Sequence, residues 1–283
     1  MSYRLLAVFA HPDDEASVAG VLAMAAAAGN HVALACATRG EVGEISNPGL
    51  ATPNTLGEVR EAELRAAADL IGIQELIFLG YRDSGMAGTP ENGHPRSFNQ
   101  ANPQVATGQL VGLIRRIRPD VVITFDPSGG YGHPDHIATN RYTEAAYDLA
   151  GDPDAYPETG PAFRPQRLFY TVFPRSVLRE MFQQMKAAGM DVSAFEGFEV
   201  EEPDPLADRL SHVIDVTAQH EAKMAAIGCH KTQFGPEHPL RKLPGDFFGE
   251  SMKREYYVQA RPAAPRPPAD SPADDLFAGL SPA

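Results

Sequence analysis

The turn His11-Pro12-Asp13-Asp14-Glu15 gathers an imidazole and three carboxylates into five residues. A second cluster, His133-Pro134-Asp135-His136, holds two imidazoles and another carboxylate. Imidazole suits Zn, Fe, Ni and Cu, and a carboxylate adds a harder oxygen donor. Each cluster comes after an apolar run, Leu5–Ala10 for the first and Val121–Phe125 for the second. Such runs read as buried strands, and open α/β sheets bind ligands beyond the carboxyl ends of their strands. One His-x-x-Asp at a strand end is more often a cap or a solvated turn. Two such clusters point to the halves of one metal site.

A catalytic zinc typically takes three protein ligands and leaves room for water. His11, Asp14 and His136 supply a His/Asp/His set, provided the first and fourth strands are neighbours at the switch point. Asp13, held beside the metal, is placed to take a proton from water, whose pKa a bound metal lowers from 15.7 to about 7. His133 stays off the metal, as an acid or as a stabiliser of transition-state charge, and Asp135 can fix its tautomer. These parts suit metal-assisted hydrolysis of an amide or ester. They do not suit a dinucleotide or ATP. That turn would need glycines for close approach to phosphate, and here its carboxylates repel one.

The elements that must carry these residues alternate. Strands are expected at Leu5–Ala10, His31–Thr38, Glu75–Leu79 and Val121–Phe125, and helices at Ala16–Ala28, Gly57–Ile71, Gly108–Ile117 and Ile137–Ala150. In the second helix Leu64, Ala67, Ala68 and Ile71 recur at helical steps, and Gly29 and Gly72 sit where C-caps belong. The pattern predicts an α/β fold: a Rossmann-like, mainly parallel sheet with helices on both faces and a C-terminal elaboration. Two long Gly- and Pro-containing loops, Arg39–Leu56 and Gly80–Pro103, follow strands and should share the rim with His11. Further on, Leu168–Phe173 reads as a fifth strand, Ser176–Ala188 and Thr217–Gly228 as helices, and Tyr256–Gln259 as a short edge strand. Residues 1–260 form one domain in this reading. Residues 261–283, crowded with Pro, Ala and Asp, form a disordered tail.

Composition narrows the partners. The 283 residues carry a net charge of -13 and no basic stripe, which argues against nucleic acid and against anionic membranes. No apolar run approaches the ~20 residues of a membrane helix. The 2 cysteines, Cys36 and Cys229, make no C-x-x-C pair. With a strand at the very start and no signal peptide expected, the chain reads as cytoplasmic.

At the two clusters the sequence resembles the LmbE-like/PIG-L family of zinc-dependent N-deacetylases, whose hallmarks A-H-P-D-D-E and H-P-D-H both occur complete, as Ala10–Glu15 and His133–His136. Gly80–Pro90 and Asp126–His136 are similar to the branch holding the mycothiol-pathway N-acetylglucosaminyl-inositol deacetylase and the related S-conjugate amidase. Lys223–Gln233, with His230, Thr232 and Gln233, resembles a C-terminal family element that reaches the site.

The resemblance implies His11, Asp14 and His136 as zinc ligands, with ferrous iron acceptable to the same donors. It implies Asp13 as general base and His133 as the group assisting the tetrahedral intermediate and the leaving amine. Tyr131 would polarise the substrate carbonyl, Arg60 and Asp83 would hold sugar hydroxyls, and Asp135 would orient His133. The implied substrate is an N-acetylglucosamine-containing small molecule that loses acetate. An amidase acting on thiol S-conjugates and a non-catalytic zinc or sugar-binding protein are the alternatives. Relatives often assemble, and no homo-oligomer interface is legible.

Structural readings stand beside these. Arg60 could make a surface ion pair with Glu63, Asp83 could serve only its turn, and Tyr131 could simply pack on its loop. Glu15 reads as a helix-start carboxylate. His31, His94, His212, His220 and His238 read as ordinary residues, and His230 is open.

Overall fold

The computed structural model describes residues 2–187, 189, 209–235, 238, 247–262 and 272–282. Its elements in chain order are β1 (Arg4–Phe9), α1 (Ala19–Ala27), β2 (His31–Cys36), α2 (Leu56–Ile71), β3 (Glu75–Phe78), α3 (Pro103–Ile117), β4 (Val121–Phe125), the short α4 (Gly129–Gly132), α5 (Pro134–Ala150), β5 (Arg167–Val172), α6 (Arg175–Ala187), β6 (His212–Asp215), α7 (His220–Ile227), α8 (Phe247–Ser251) and β7 (Arg254–Arg261). The strands make one 7-stranded sheet in the order β3-β2-β1-β4-β5-β7-β6. The first five are parallel, while β7 runs antiparallel to β5 and β6 antiparallel to β7.

Parallel strands covered on both faces need unbroken apolar runs. In β1, Leu5, Leu6 and Ala7 are fully buried. Alternate residues feed two cores. Leu5, Ala7 and Phe9 pack with α1, α2 and α7, and Leu6 and Val8 with α3 and α5. The expected α/β architecture with helices on both faces is what forms. No described helix is long and apolar enough to cross a membrane.

The chain order reverses between β1 and β4, which are neighbours. This switch point puts the two His/Asp clusters side by side. Both long loops lie on that rim, where Val42–Ser46 and Asp83, Gly85 and Met86 join the walls of one cavity.

Two expectations need correction. Tyr256–Gln259 is not an edge strand: it lies in β7, an inner strand between β5 and the unforeseen β6. Only Val213 and Ile214 give β6 an apolar signal, too few for a period to show. Nor is the C-terminal segment uniformly loose. Its first residue, Arg261, belongs to β7. Farther along, Leu276 is 2% exposed, Phe277 stacks on Tyr3 at 4.7 Å, and the Arg167 guanidinium donates to the carbonyls of Leu276 (2.9 Å) and Ala278 (2.7 Å). Average composition hides two apolar anchors that tie down residues 276–278. The end of the expected helix Ser176–Ala188 and residues 263–271 of the tail fall outside the described residues.

Candidate metal centre and active site

The first cluster is shaped by its own carboxylate. Asp14 Oδ2 accepts the backbone N–H groups of Ala10 (3.2 Å) and His11 (2.7 Å), folding the turn back on the end of β1. The second cluster opens α5. His133 is its N-cap, and His133 Nδ1 accepts the Asp135 N–H at 3.1 Å. Pro134 at the first helical position suits that start. His136, on the first turn, is 2% exposed and stacks on Phe125 with ring centroids 4.0 Å apart.

The structure brings His11, Asp14 and His136 to one point. His11 Nδ1 stands 3.2 Å from His136 Nε2 and 3.5 Å from Asp14 Oδ2, and His136 Nε2 stands 3.2 Å from Asp14 Oδ1. Donor atoms about 2.0–2.1 Å from a tetrahedral zinc lie about 3.3 Å from one another. The two imidazole nitrogens meet that spacing, and each meets it with a different Asp14 oxygen, while His133 lies close enough to His11 and His136 to join a metal-holding group. The outer nitrogens agree. His136 Nδ1 donates to the Gly129 carbonyl (3.1 Å), and His11 Nε2 donates to Asp135 Oδ2 (3.2 Å). Both inner nitrogens therefore turn lone pairs toward each other, and that arrangement needs a proton or a cation between them. Carbonyl and carboxylate anchors of this kind accompany metal-binding histidines.

Charge follows the geometry. Burial works against a charged His11, but hydrogen bonds to Asp135, Asp14 and Asp83 hold its pKa well above the ordinary histidine value. Burial likewise disfavours ionised Asp14, yet His136 and His11 keep it well below the ordinary carboxylate range. A cation would displace the proton these acids hold there.

Asp13 stands apart from the triangle. Burial pushes its pKa up to about 6, against the pull of the Arg60 guanidinium and with the push of Asp14. A carboxylate tuned toward neutral pH is the better base. Its backbone sits at φ 110°, ψ -20°, a left-handed conformation costing a non-glycine residue on the order of 1–3 kcal/mol. Two partners hold it. Glu15 Oε2 accepts its N–H at 2.9 Å, and Arg60 reaches the Pro12 carbonyl (2.5 Å) and Asp13 Oδ2 (3.2 Å).

Arg60 is therefore neither on the surface nor paired with Glu63, which binds the N–H and hydroxyl of Thr232 instead. It is 4% exposed and also donates to the Gly40 carbonyl at 3.0 Å. A Cβ at Gly40 or Gly43 would run into its guanidinium, which explains two glycines of the first long loop.

A cavity of about 530 Å³, in the range of small-ligand sites, opens beside the triangle. His11, Asp13, Arg60, Asp83, Tyr131 and His133 line it. The Asp83 carboxylate is already shared among the N–H groups of Gly85 (2.8 Å) and Val42 (3.2 Å) and His11 Nε2 (3.5 Å). Burial disfavours its charge, but His11 holds its pKa below the usual range. Tyr131 is 57% exposed at the rim, its ring 5.0 Å from that of His136. It is carried by Gly129, Gly130 and Gly132, all at positive φ. Asp126 shapes that loop by accepting the N–H groups of Ser128 (2.7 Å) and Gly130 (3.0 Å).

Asp135 does not bond the His133 ring through its carboxylate. That carboxylate serves His11, the Ser84 N–H (2.9 Å) and the Ser84 hydroxyl. The helix start aims it across the switch point, leaving the Asp135 backbone N–H to fix the His133 tautomer. Burial, then repulsion from His11 and His136, pushes the His133 pKa down to about 4. His133 is thus a neutral imidazole with Nδ1 occupied and Nε2 protonated.

Sequence reasoning left two participants unplaced. Glu15, read as a helix-start carboxylate, is 1% exposed and meets His230 Nε2 at 2.5 Å. Ser84, which anchors Asp135, had no signal beyond its loop. His31, His94, His212, His220 and His238 supply no atom to the triangle, although His238 lines the outer cavity.

Comparison with known proteins adds to this geometry. Residues 6–147 match the PIG-L family, GlcNAc-PI de-N-acetylase. A 1D-myo-inositol 2-acetamido-2-deoxy-alpha-D-glucopyranoside deacetylase from Geodermatophilus obscurus is 39% identical, covering 99% of this chain and 98% of its own. One of the same name from Salinispora arenicola is 41% identical over 98% of this chain and 91% of its own. Among solved structures, the conserved protein TT1542 from Thermus thermophilus superposes with a TM-score of 0.60 at 26% identity, over 92% of this chain and 96% of its own. The N,N'-diacetylchitobiose deacetylase from Pyrococcus horikoshii gives 0.60 at 20% identity, over 91% and 82%, a likeness of fold.

Proposed function

The chain belongs to the PIG-L family, and on that premise we propose that it is a metal-dependent deacetylase, releasing acetate from an N-acetylglucosaminyl-inositol type of small molecule. The observation that carries this is the convergence of His11 Nδ1, Asp14 and His136 Nε2 beside an independently held Asp13, in one sugar-sized cavity. The near full-length relatives named as 1D-myo-inositol 2-acetamido-2-deoxy-alpha-D-glucopyranoside deacetylases support the substrate class.

His11, Asp14 and His136 are the residues that would hold the cation, which we take to be zinc; ferrous iron accepts the same donors. When bound, the ion supplies Lewis acidity and makes water a nucleophile near neutral pH. The chain's own residues do the rest. Asp13 takes the proton of the attacking water. His133 offers its Nε2–H as a hydrogen bond to the developing oxyanion, a preorganised donor, and Asp13 returns the proton it took from water to the departing amine. The Tyr131 hydroxyl, at the cavity rim and protonated near neutral pH like any ordinary tyrosine, donates to the same oxygen. Asp83 and Arg60 line the cavity that would take the sugar, with their polar atoms held by the protein's own groups. Two free thiols fit a cytoplasmic enzyme.

The test is amine release by the zinc-loaded protein from N-acetylglucosaminyl-inositol, run beside a bimane S-conjugate of mycothiol. Turnover of the first at least about tenfold above the second is expected, a preference of about 1.4 kcal/mol. Cleavage of the conjugate alone would replace the reading with an amidase. A crystal structure with His133 as a fourth protein ligand and no water would replace it with a closed structural site.

A further inference from the structure

The C-terminal elaboration delivers one residue to the catalytic turn that the mechanism above does not use. His230 follows α7, which packs on α1 and α2. It is 0% exposed. Its Nε2 meets Glu15 Oε1 at 2.5 Å, across 215 residues of sequence. Glu15 Oε2 accepts the Asp13 N–H at 2.9 Å. Among the described residues His230 Nδ1 has no partner, so the imidazole's buried hydrogen bond is spent on Glu15. From this chain of contacts we infer that His230 is a positioning residue: through Glu15 it holds Asp13 in the left-handed conformation that turns its carboxylate into the cavity.

The physics is that of a strained element held from outside. Asp13 at φ 110° relaxes unless its surroundings over-determine it. Arg60 grips the side chain and the preceding carbonyl, and Glu15 grips the N–H. Glu15 is 1% exposed, and a buried carboxylate stays in place only where hydrogen-bond donors meet it. Among the described residues the side chain that meets it is His230; the buried Lys223 is committed to Glu255 at 2.7 Å. Removing the His230 donor frees Glu15 to turn away and Asp13 to relax.

The metal triangle should be spared. Asp14 is fixed separately, by the N–H groups of Ala10 and His11. A role for His230 in the reaction alone, rather than in overall structure, therefore predicts a split between turnover and metal binding. This inference rests on Asp13 being the base, as proposed above.

The experiment compares His230→Leu, His230→Gln and His230→Asn in the zinc-loaded full chain. A Gln amide can reach the Nε2 position, and an Asn amide is too short. His230→Leu and His230→Asn should lose about 10- to 100-fold in kcat, the scale of a small misplacement of a reacting group, with KM within about twofold. His230→Gln should recover most of that loss. Zinc affinity, read by competition with a chromogenic chelator, should stay within about threefold in all three. Hydrogen exchange at the Asp13 amide should quicken at least about tenfold in the Leu and Asn variants, since that N–H loses its acceptor.

Unchanged Asp13 exchange and unchanged kcat in the Leu variant would overturn the inference. So would an equal loss in Gln and Asn, or a loss of zinc in step with turnover. Should the Leu variant not fold, the Gln–Asn comparison decides alone. Wild-type turnover reports on the deacetylase reading and Asp13 exchange on positioning, so each can fail without the other.

Discussion

Replacing Arg60 by Gln would test the coupling between the buried guanidinium and the base. In the wild type, Arg60 bonds the carbonyls of Pro12 and Gly40 and sits 3.2 Å from Asp13 Oδ2. Gln keeps an amide donor but carries no charge and is too short to bridge all three. An opposite charge at this range lowers a carboxylate pKa by about 1–3 units. Arg60 is among the groups pulling Asp13 down, so its loss moves the Asp13 pKa further above its present value of about 6. The sign is fixed: the ionised base then forms at higher pH, and the acid limb of kcat/KM moves up by about one unit or more. Activity near pH 6 should fall at least about fivefold more than activity near pH 8. Losing one or two charge-assisted bonds of about 1.5–3 kcal/mol each should also lower the melting temperature. The assay is amine release from pH 5.5 to 9 with zinc content measured in parallel. An acid limb that stays put, or moves down, while zinc remains stoichiometric refutes the coupling.

Other consequences can be checked alongside. Asp13→Ala should retain zinc and lose about 10²- to 10⁴-fold in turnover, the range for a general base, whereas Asp14→Ala should lose zinc itself; elemental analysis and amine release distinguish them. Leu276→Ala should cost about 2–3 kcal/mol, because the side chain is 2% exposed, and calorimetry should show a melting temperature lower by about 4–12 °C; no change would mean the segment is not docked. His212 is 5% exposed beneath Phe169, and burial, then Arg167, pushes its pKa down to about 4. The unfolded chain takes that proton near 6.5, so the stability tied to neutral His212 is full above about 6.5 and falls as pH drops toward about 4. Melting curves across that window should flatten in His212→Phe, and a slope identical to wild type would count against the assignment.

The sequence by itself determined the parts with a short-range or repeating signature. Unbroken apolar runs marked β1, β2 and β4, because strands covered on both faces carry no polar alternation. Each half of the metal site was legible because His11 and Asp14 share one turn, and His133 and His136 one helix start. Strand order decided that the halves meet: β1 pairs with β4 only once the sheet has formed. Tertiary structure also decided which partner each polar group took. Asp135 serves His11 across the switch point rather than the His133 ring. Arg60 turned inward because two glycines leave it room. Glu15 found its mate 215 residues away. Periodicity and motif spacing reach over a turn or two of chain, whereas burial obliges every polar group to find a partner wherever the fold supplies one.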